Sequence, residues 1–268
     1  MEKKKHLSIV IVCLSILLCS IVYLLMQRLS VDSKRAGSLL DLRNLDFVQI
    51  ERVDHSIKNE KGNLIAITYY EKPVLTGESD VHAKISDYFK NECQAFFFGE
   101  TRINFDGERK YTNFEEKVIK SNLELEEHHF YNTVDTEVAF CENDILSFVK
   151  KTYWAVGGVE PRYEFGVTFD MHTGELITID QFIDLDINDF RKIIGDFASD
   201  RLKHWDYESK IDYLQETLWN MDYKDYEYYY DGAAVYILLH NVVFSNECYE
   251  LRWDLKTGDV SDEYVNVK

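Results

Sequence analysis

Residues 134–179 read VDTEVAFCENDILSFVKKTYWAVGGVEPRYEFGVTFDMHTGELITI, and this stretch decides the fold. Along Val134 to Cys141, Ile145 to Trp154, Tyr163 to Met171 and Leu176 to Ile179 the pattern is that of β-strands, short runs rich in β-branched and aromatic residues. Glu142-Asn143-Asp144 and Gly157-Gly158 interrupt the runs with residues that tolerate turn conformations. The expected result is an antiparallel meander. The pair Gly157 and Gly158 is expected to make a turn that admits no Cβ.

Downstream the pattern changes. Ile187, Phe190, Ile193, Ile194, Phe197 and Leu202 recur at helical spacing within Phe182 to Trp205, as do Ile211, Leu214 and Leu218 within Ser209 to Met221. Strand character returns in Tyr226 to Tyr230, Ala233 to Phe244 and Cys248 to Leu255, with Asp231-Gly232 as a two-residue hairpin signal. Upstream, Phe47 to Val53 and Leu64 to Tyr70 flank Lys61-Gly62-Asn63 as a hairpin. Val81 to Phe98 follows as a helix that Ser79-Asp80 can cap, and Asn113 to Phe130 as a second, exposed helix. The fold class is therefore α+β: antiparallel sheets with packed helices, preceded by one N-terminal transmembrane helix.

That preceding segment is Leu7 to Met26, 20 residues without a charge. As a helix it spans about 30 Å, the thickness of a bilayer core. A cleaved signal peptide is the rival, but the exit Tyr23-Leu24-Leu25-Met26-Gln27-Arg28 offers no small-x-small cleavage site. Lys3, Lys4 and Lys5 favour an inside N-terminus. The expected organisation is a cytoplasmic tail over 1–6, the membrane helix over 7–26, a tether over 27–45, and two α+β subdomains over 46–130 and 131–268. The bulk of the chain then lies outside the cell membrane, with no intracellular signalling domain.

The chain carries a net charge of −18. Residues 1–35 hold six lysines and arginines against two acids, which leaves 24 basic and 46 acidic residues beyond them, a balance of −22. Nucleic acid is excluded as a partner, because its binding rests on phosphate neutralisation, and a cationic partner is favoured. Cys93, Cys141 and Cys248 follow the membrane segment without CxxC spacing, so they read as small buried hydrophobes rather than a metal site.

Few residues suggest chemistry. His128-His129 beside Glu126-Glu127 are metal-ligand types, but helical neighbours diverge by about 100°. Asp184, Asp186, Asn188 and Asp189 resemble the opening of a calcium loop, yet Asp189 and Gly195 occupy positions where that loop needs Gly and Glu. They read instead as the acidic N-terminus of a helix beginning near Asp186. No nucleophile elbow, zinc-protease, phosphate-loop or dinucleotide motif is present, and no cofactor or metal is expected. Tyr226, Tyr228, Tyr229 and Tyr230 are the ligand-binding candidates, since amphipathic rings fill interfaces, although tyrosine is also good strand chemistry.

One internal echo stands out. Asp170, Thr173 and Gly174 in FDMHTGE repeat as Asp254, Thr257 and Gly258 in WDLKTGD, the signature of a reused turn in which Asp accepts backbone hydrogen bonds and Gly supplies positive φ.

Asn143-Asp144-Ile145-Leu146-Ser147-Phe148-Val149, Tyr153-Trp154-Ala155-Val156-Gly157-Gly158 and the run Phe169 to Phe182, with the later Asp231-Gly232 hairpin, resemble the RsiV-type extracytoplasmic domain family. That family includes the lysozyme-sensing anti-sigma-V factor and envelope proteins of Gram-positive bacteria. Residues 47 to 130 resemble a companion region that also occurs beside peptidoglycan deacetylases. The resemblance implies a membrane-anchored binding or sensing protein of the cell envelope, whose partner is a cationic protein such as lysozyme or a cell-wall component. An accessory or catalytic role in peptidoglycan metabolism is the alternative. Val159-Glu160 stands where relatives carry Ala-His, and six residues cannot replace the cytoplasmic anti-sigma domain, so neither feature is carried over.

Overall fold

The computed structural model describes residues 45–98, 130–155, 162–205, 207–240 and 248–262. The expected membrane helix over 7–26, the helix over Asn113 to Phe130 apart from its last residue, His128-His129 and the Gly157-Gly158 turn lie outside these residues. Among the described residues no helix is long and apolar enough to cross a membrane.

Leu45–Lys268 forms one compact unit. Its first sheet contains β1 (Val48–Asp54), β2 (Ile57–Lys58), β3 (Leu64–Leu75), β4 (Phe130–Glu142), β5 (Ile145–Ala155) and β6 (Arg162–Asp170). The order is β1-β3-β4-β5-β6, with β2 also on β3. The second sheet contains β7 (Glu227–Tyr230), β8 (Ala234–His240), β9 (Cys248–Asp254) and β10 (Val260–Asp262), in the order β10-β9-β8-β7.

The expected meander is present as β4-β5-β6, antiparallel throughout. Asn143 and Asp144 both adopt positive φ, 51° and 63°, as the two-residue hairpin between Glu142 and Ile145 requires. The expected antiparallel pairing does not extend through the whole first sheet. The first sheet is mixed, because β3 and β4 pair in parallel. The chain between them, which includes a long helix, is long enough for a crossover, so β4 re-enters beside β3 in the same direction. The domain boundary expected at residue 130 therefore falls on the first residue of a strand that pairs with β3.

Leu176 to Ile179 is not a strand but one bridge, Phe169 to Leu176, followed by a 3-10 turn at Ile179–Gln181. Leu176 is 49% exposed, so no core draws the segment further into the sheet. The β7-β8 hairpin turns at Gly232-Ala233, one residue later than Asp231-Gly232. Asp231 sits at the turn entrance, where its Oδ1 accepts from the amides of Ala233 and Ala234 at 2.9 and 2.8 Å. Gly232 takes φ +95°, and a Cβ there would lie 2.4 Å from the Phe140 ring. Gly232→Ala is expected to cost about 2 kcal/mol through left-handed strain and crowding, read as a lower melting temperature with the same far-ultraviolet spectrum.

Helix α1 (Asp80–Phe98) packs on the first sheet. The Ser79 hydroxyl accepts from the Val81 amide at 3.2 Å at its start. Ile85, Phe89, Cys93 and Phe97, four residues apart, are buried along one stripe. Phe89 meets Phe148 edge to face at 4.8 Å, and Tyr88 meets Phe169 at 5.2 Å. Helices α2 (Ile187–His204) and α3 (Ile211–Asn220) cover the second sheet. Asp186 caps α2 by accepting from the Asn188 amide at 2.8 Å, the helix-start role expected of that acidic run. Phe190, Ile194, Ala198 and Leu202 of α2 and Leu214 and Leu218 of α3 bury against Val235, Ile237, Tyr249, Leu251 and Trp253.

The two sheets meet where β7 crosses β6. A Cβ on Gly166 would lie 1.9 Å from the Tyr228 carbonyl oxygen, so only glycine permits this approach. The Tyr230 amide donates to the Ser147 hydroxyl at 2.9 Å, and Ser147 in turn shares a hydrogen bond with Thr168 at 2.9 Å. Ala139, Val149, Tyr229, Leu238 and Cys248 form the apolar part of the junction.

Candidate functional site

Alternation along the strands assigns the two faces of the first sheet. Tyr70 and Lys150 turn to α1, where both bond Glu92, so Tyr69 and Lys151 turn away from it. On that outer face the half near Ala139, Val149 and Gly166 is covered by the second sheet. The remaining half gathers three half-buried tyrosines and two exposed arginines. Arg52 of β1 lies over the Tyr69 ring of β3, 3.5 Å from its centroid. Tyr131 of β4 and Tyr153 of β5 sit 5.4 Å apart, and Arg162 of β6 lies 5.3 Å from the Tyr153 centroid.

Carboxylates interleave with these rings. The Tyr69 hydroxyl donates to Asp135 at 2.8 Å, and Lys151 pairs with Glu137 at 3.1 Å. Burial, then the Asp135 hydrogen bond and charge, hold the Tyr69 hydroxyl above its usual range, so it stays a neutral donor. Tyrosine and arginine on one partly desolvated surface are the composition of an interface core. The period of two along β4 sets Tyr131, Asp135 and Glu137 opposite the buried Val134 and Thr136, but it says nothing of the partners that Tyr131 finds on β3 and β5.

The tyrosines singled out from sequence lie elsewhere. Tyr226, Tyr228 and Tyr229 are buried, and Tyr230 is half-buried. Tyr226 packs edge to face on Phe190 at 5.0 Å. Tyr228 donates to the Ile177 carbonyl, and burial pushes its hydroxyl up. Tyr229 stacks on Tyr236 at 4.6 Å and donates to Glu250 at 3.0 Å. Tyr230 meets Phe140 at 4.7 Å and donates to the Gly232 carbonyl at 2.9 Å. Their rings fill the protein's own core and sheet junction.

The repeated motif forms two copies of one turn. Asp170 Oδ1 accepts from the amides of His172 and Thr173 at 2.7 and 3.0 Å, and Asp254 Oδ1 from those of Lys256 and Thr257 at 3.0 and 3.0 Å. Gly174 and Gly258 take φ +69° and +74°. Those amide donors hold both carboxyls below the usual range. Each copy closes the end of a strand, β6 or β9, and both are exposed structural turns.

A group of bonded ionisable side chains lies between α1 and the sheet. Lys150 donates to both Glu92 oxygens at 2.9 and 2.7 Å, and Tyr70 and Tyr88 each donate to Glu92 at 3.1 Å. Burial pushes the neighbouring Glu227 carboxyl up, Lys150 opposes this, and Glu92 adds to it. The carboxylate and the ammonium are engaged with one another, so the group acts as a clamp between helix and strand.

Among the described residues, no group of three or more His, Cys, Asp and Glu side chains could hold a metal. Among the described residues Cys93, Cys141 and Cys248 form no disulfide, and burial pushes Cys93 to about 11 and Cys248 to about 12. His172 pairs with Asp144 at 2.9 Å between two exposed turns. His240 stacks on Phe165 at 4.7 Å, and burial lowers its pKa, so it sits there as neutral imidazole.

No family model matches the chain, and no curated protein matches it. Solved structures do. The structural neighbours are DUF3298 family proteins. A DUF3298 family member from Bacteroides fragilis shares 11% identity at a TM-score of 0.48, over 78% of this chain and 90% of that one. A DUF3298 family protein from Pseudomonas aeruginosa shares 11% identity at a TM-score of 0.45, over 80% of this chain and 94% of that one. DUF3298 is a domain of unknown function.

Proposed function

We propose that this chain is a binding or sensing protein of the bacterial cell envelope, anchored by residues 7–26 with residues 45 onward outside, as its resemblance to the RsiV-type family implies. The tyrosine–arginine face of the first sheet is its contact surface, and a cationic protein is its partner. The observation that carries this reading is the gathering of Tyr69, Tyr131 and Tyr153 with Arg52 and Arg162 on one half-buried face. The surrounding balance of −22 over residues 36–268 steers a positive partner towards it. Tyrosine supplies desolvated contact area, while charge sets the encounter rate.

Lysozyme is the first cationic protein to test. With the full chain held in a lipid nanodisc, its association rate is expected to fall between about 0.05 M and 0.3 M salt, as the screening length drops from about 14 to 6 Å, while measurable affinity persists. Tyr153→Ala is expected to weaken binding more than about tenfold at either salt, with an unchanged melting curve. Complete loss at the higher salt, or equal binding by an unrelated acidic protein, would reduce the interaction to nonspecific charge attraction and end this reading.

A further inference from the structure

The junction of the two sheets is held differently at its two ends. Where the β7-β8 hairpin turns, the Tyr230 amide bonds Ser147 and its ring packs on Phe140. At the far end of β8, His240 stacks on Phe165 of β6 at 4.7 Å, the rings 22° from parallel, and meets Tyr163 edge-on at 5.8 Å. Its register partner on β9 is Cys248, whose sulfur accepts from the Glu164 amide of β6. Both ring nitrogens of His240 are buried, and among the described residues neither has a hydrogen-bond partner.

The charged groups around this end are committed elsewhere. Glu92 of α1 is engaged by Lys150 of β5, the Glu227 carboxylate of β7 accepts from the Gly166 amide, and Glu250 of β9 accepts from the Tyr229 hydroxyl. Glu164 turns to the opposite face of β6 from Tyr163 and Phe165. Burial keeps the Cys248 thiol neutral. A ring face attracts a cation, but the Lys150 ammonium already lies 6.0 Å from the Phe165 centroid and opposes a second one. We infer that His240 is an acid-sensitive latch of the sheet junction, which on protonation releases the ends of β8 and β9 from β6 and bares Cys248.

The direction follows from linkage. Burial disfavours the charged ring in the closed form, whereas the open form takes up its proton at the ordinary value near about 6.5. The closed form is therefore fully favoured above that value and loses ground as pH falls below it. Glu227, whose carboxyl burial raises, takes its proton more readily when closed and works in the opposite direction.

The test follows the reaction of each cysteine of the full chain, in a nanodisc, with a dithiodipyridine reagent by peptide mass mapping. Dividing each rate by that of the urea-unfolded chain at the same pH gives a protection factor. Between about pH 7.5 and 5.5, protection of Cys248 is expected to fall about tenfold, the change in proton binding of an ordinary imidazole over that range. Cys93, beneath α1, should keep its protection, which marks the opening as local. His240→Phe keeps a stacking ring without a titrating group, so it should abolish the acid response, and Glu227→Gln should leave it in place. Cys248 protection constant within about twofold, a fall that Cys93 shares, or the same acid response in His240→Phe each overturns the inference. The comparison of Cys248 with Cys93 needs no variant, so it stands even if His240→Phe does not fold.

Discussion

Gly166→Ala is expected to lower stability by about 3 kcal/mol, roughly 6 to 12 °C in melting temperature for a domain of this size. The added methyl would sit 1.9 Å from the Tyr228 carbonyl oxygen, 2.1 Å from its carbon and 2.6 Å from the Tyr229 nitrogen. All three are backbone atoms of β7, so no side-chain rotation relieves the clash. The two sheets must separate there, which lengthens the Tyr230–Ser147 hydrogen bond and loosens the Tyr229–Val149 packing. The comparison is Gly258→Ala, where nothing lies within 4 Å and only the φ of +74° opposes a side chain, at about 1 to 2 kcal/mol. Calorimetry on both variants decides the matter. A Gly166→Ala protein that melts within 2 °C of the parent would mean that the sheets do not cross at this contact.

Gly166 also marks where sequence reading reached its limit. Local features were legible because their causes are local: the Asp-x-x-Thr-Gly turns, the helix start at Asp186 and the strand-and-turn pattern of β4-β5-β6 each rest on neighbours in the chain. Gly166 lies inside a strand at an ordinary φ, and its need for glycine comes from Tyr228, 62 residues away. The parallel pairing of β3 with β4 depends equally on a long crossover, which periodicity does not record. The tyrosine run 226–230 looked like a surface because it is polar-tipped. The helices α2 and α3 fold over it and turn Tyr226 and Tyr228 into core residues. The face formed by Tyr69, Tyr131 and Tyr153 draws on three strands, so no single window of sequence contains it. Only the topology brings these three tyrosines onto one face.

The clamp beneath α1 yields the second large effect. Lys150 is 8% exposed, and both of its short bonds go to Glu92. Removing one partner of a buried ion pair costs about 3 to 5 kcal/mol, because the other charge is left without compensation. The Glu92 side chain is 30% exposed and keeps the two tyrosine hydroxyls, so solvent screening reduces the expectation for Lys150→Met to about 2 kcal/mol. Adding Glu92→Gln should restore most of this loss. The amide oxygen still accepts from Tyr70 and Tyr88, and no buried charge remains, so the double-mutant cycle should show coupling. The pH dependence supplies an independent check. Burial already raises the Glu227 carboxyl, and Lys150 is the group that holds it down. Without Lys150 the folded-state pKa of Glu227 rises further above its unfolded value, so the protonated form is favoured in the native state. Stability linked to a raised carboxyl is present at low pH and lost as pH rises through that folded pKa. The Lys150→Met deficit should therefore be larger at about pH 8 than at about pH 4.5. A deficit of the same size at both pH values would show that Lys150 acts through packing of its aliphatic stem, and that its charge holds neither carboxylate.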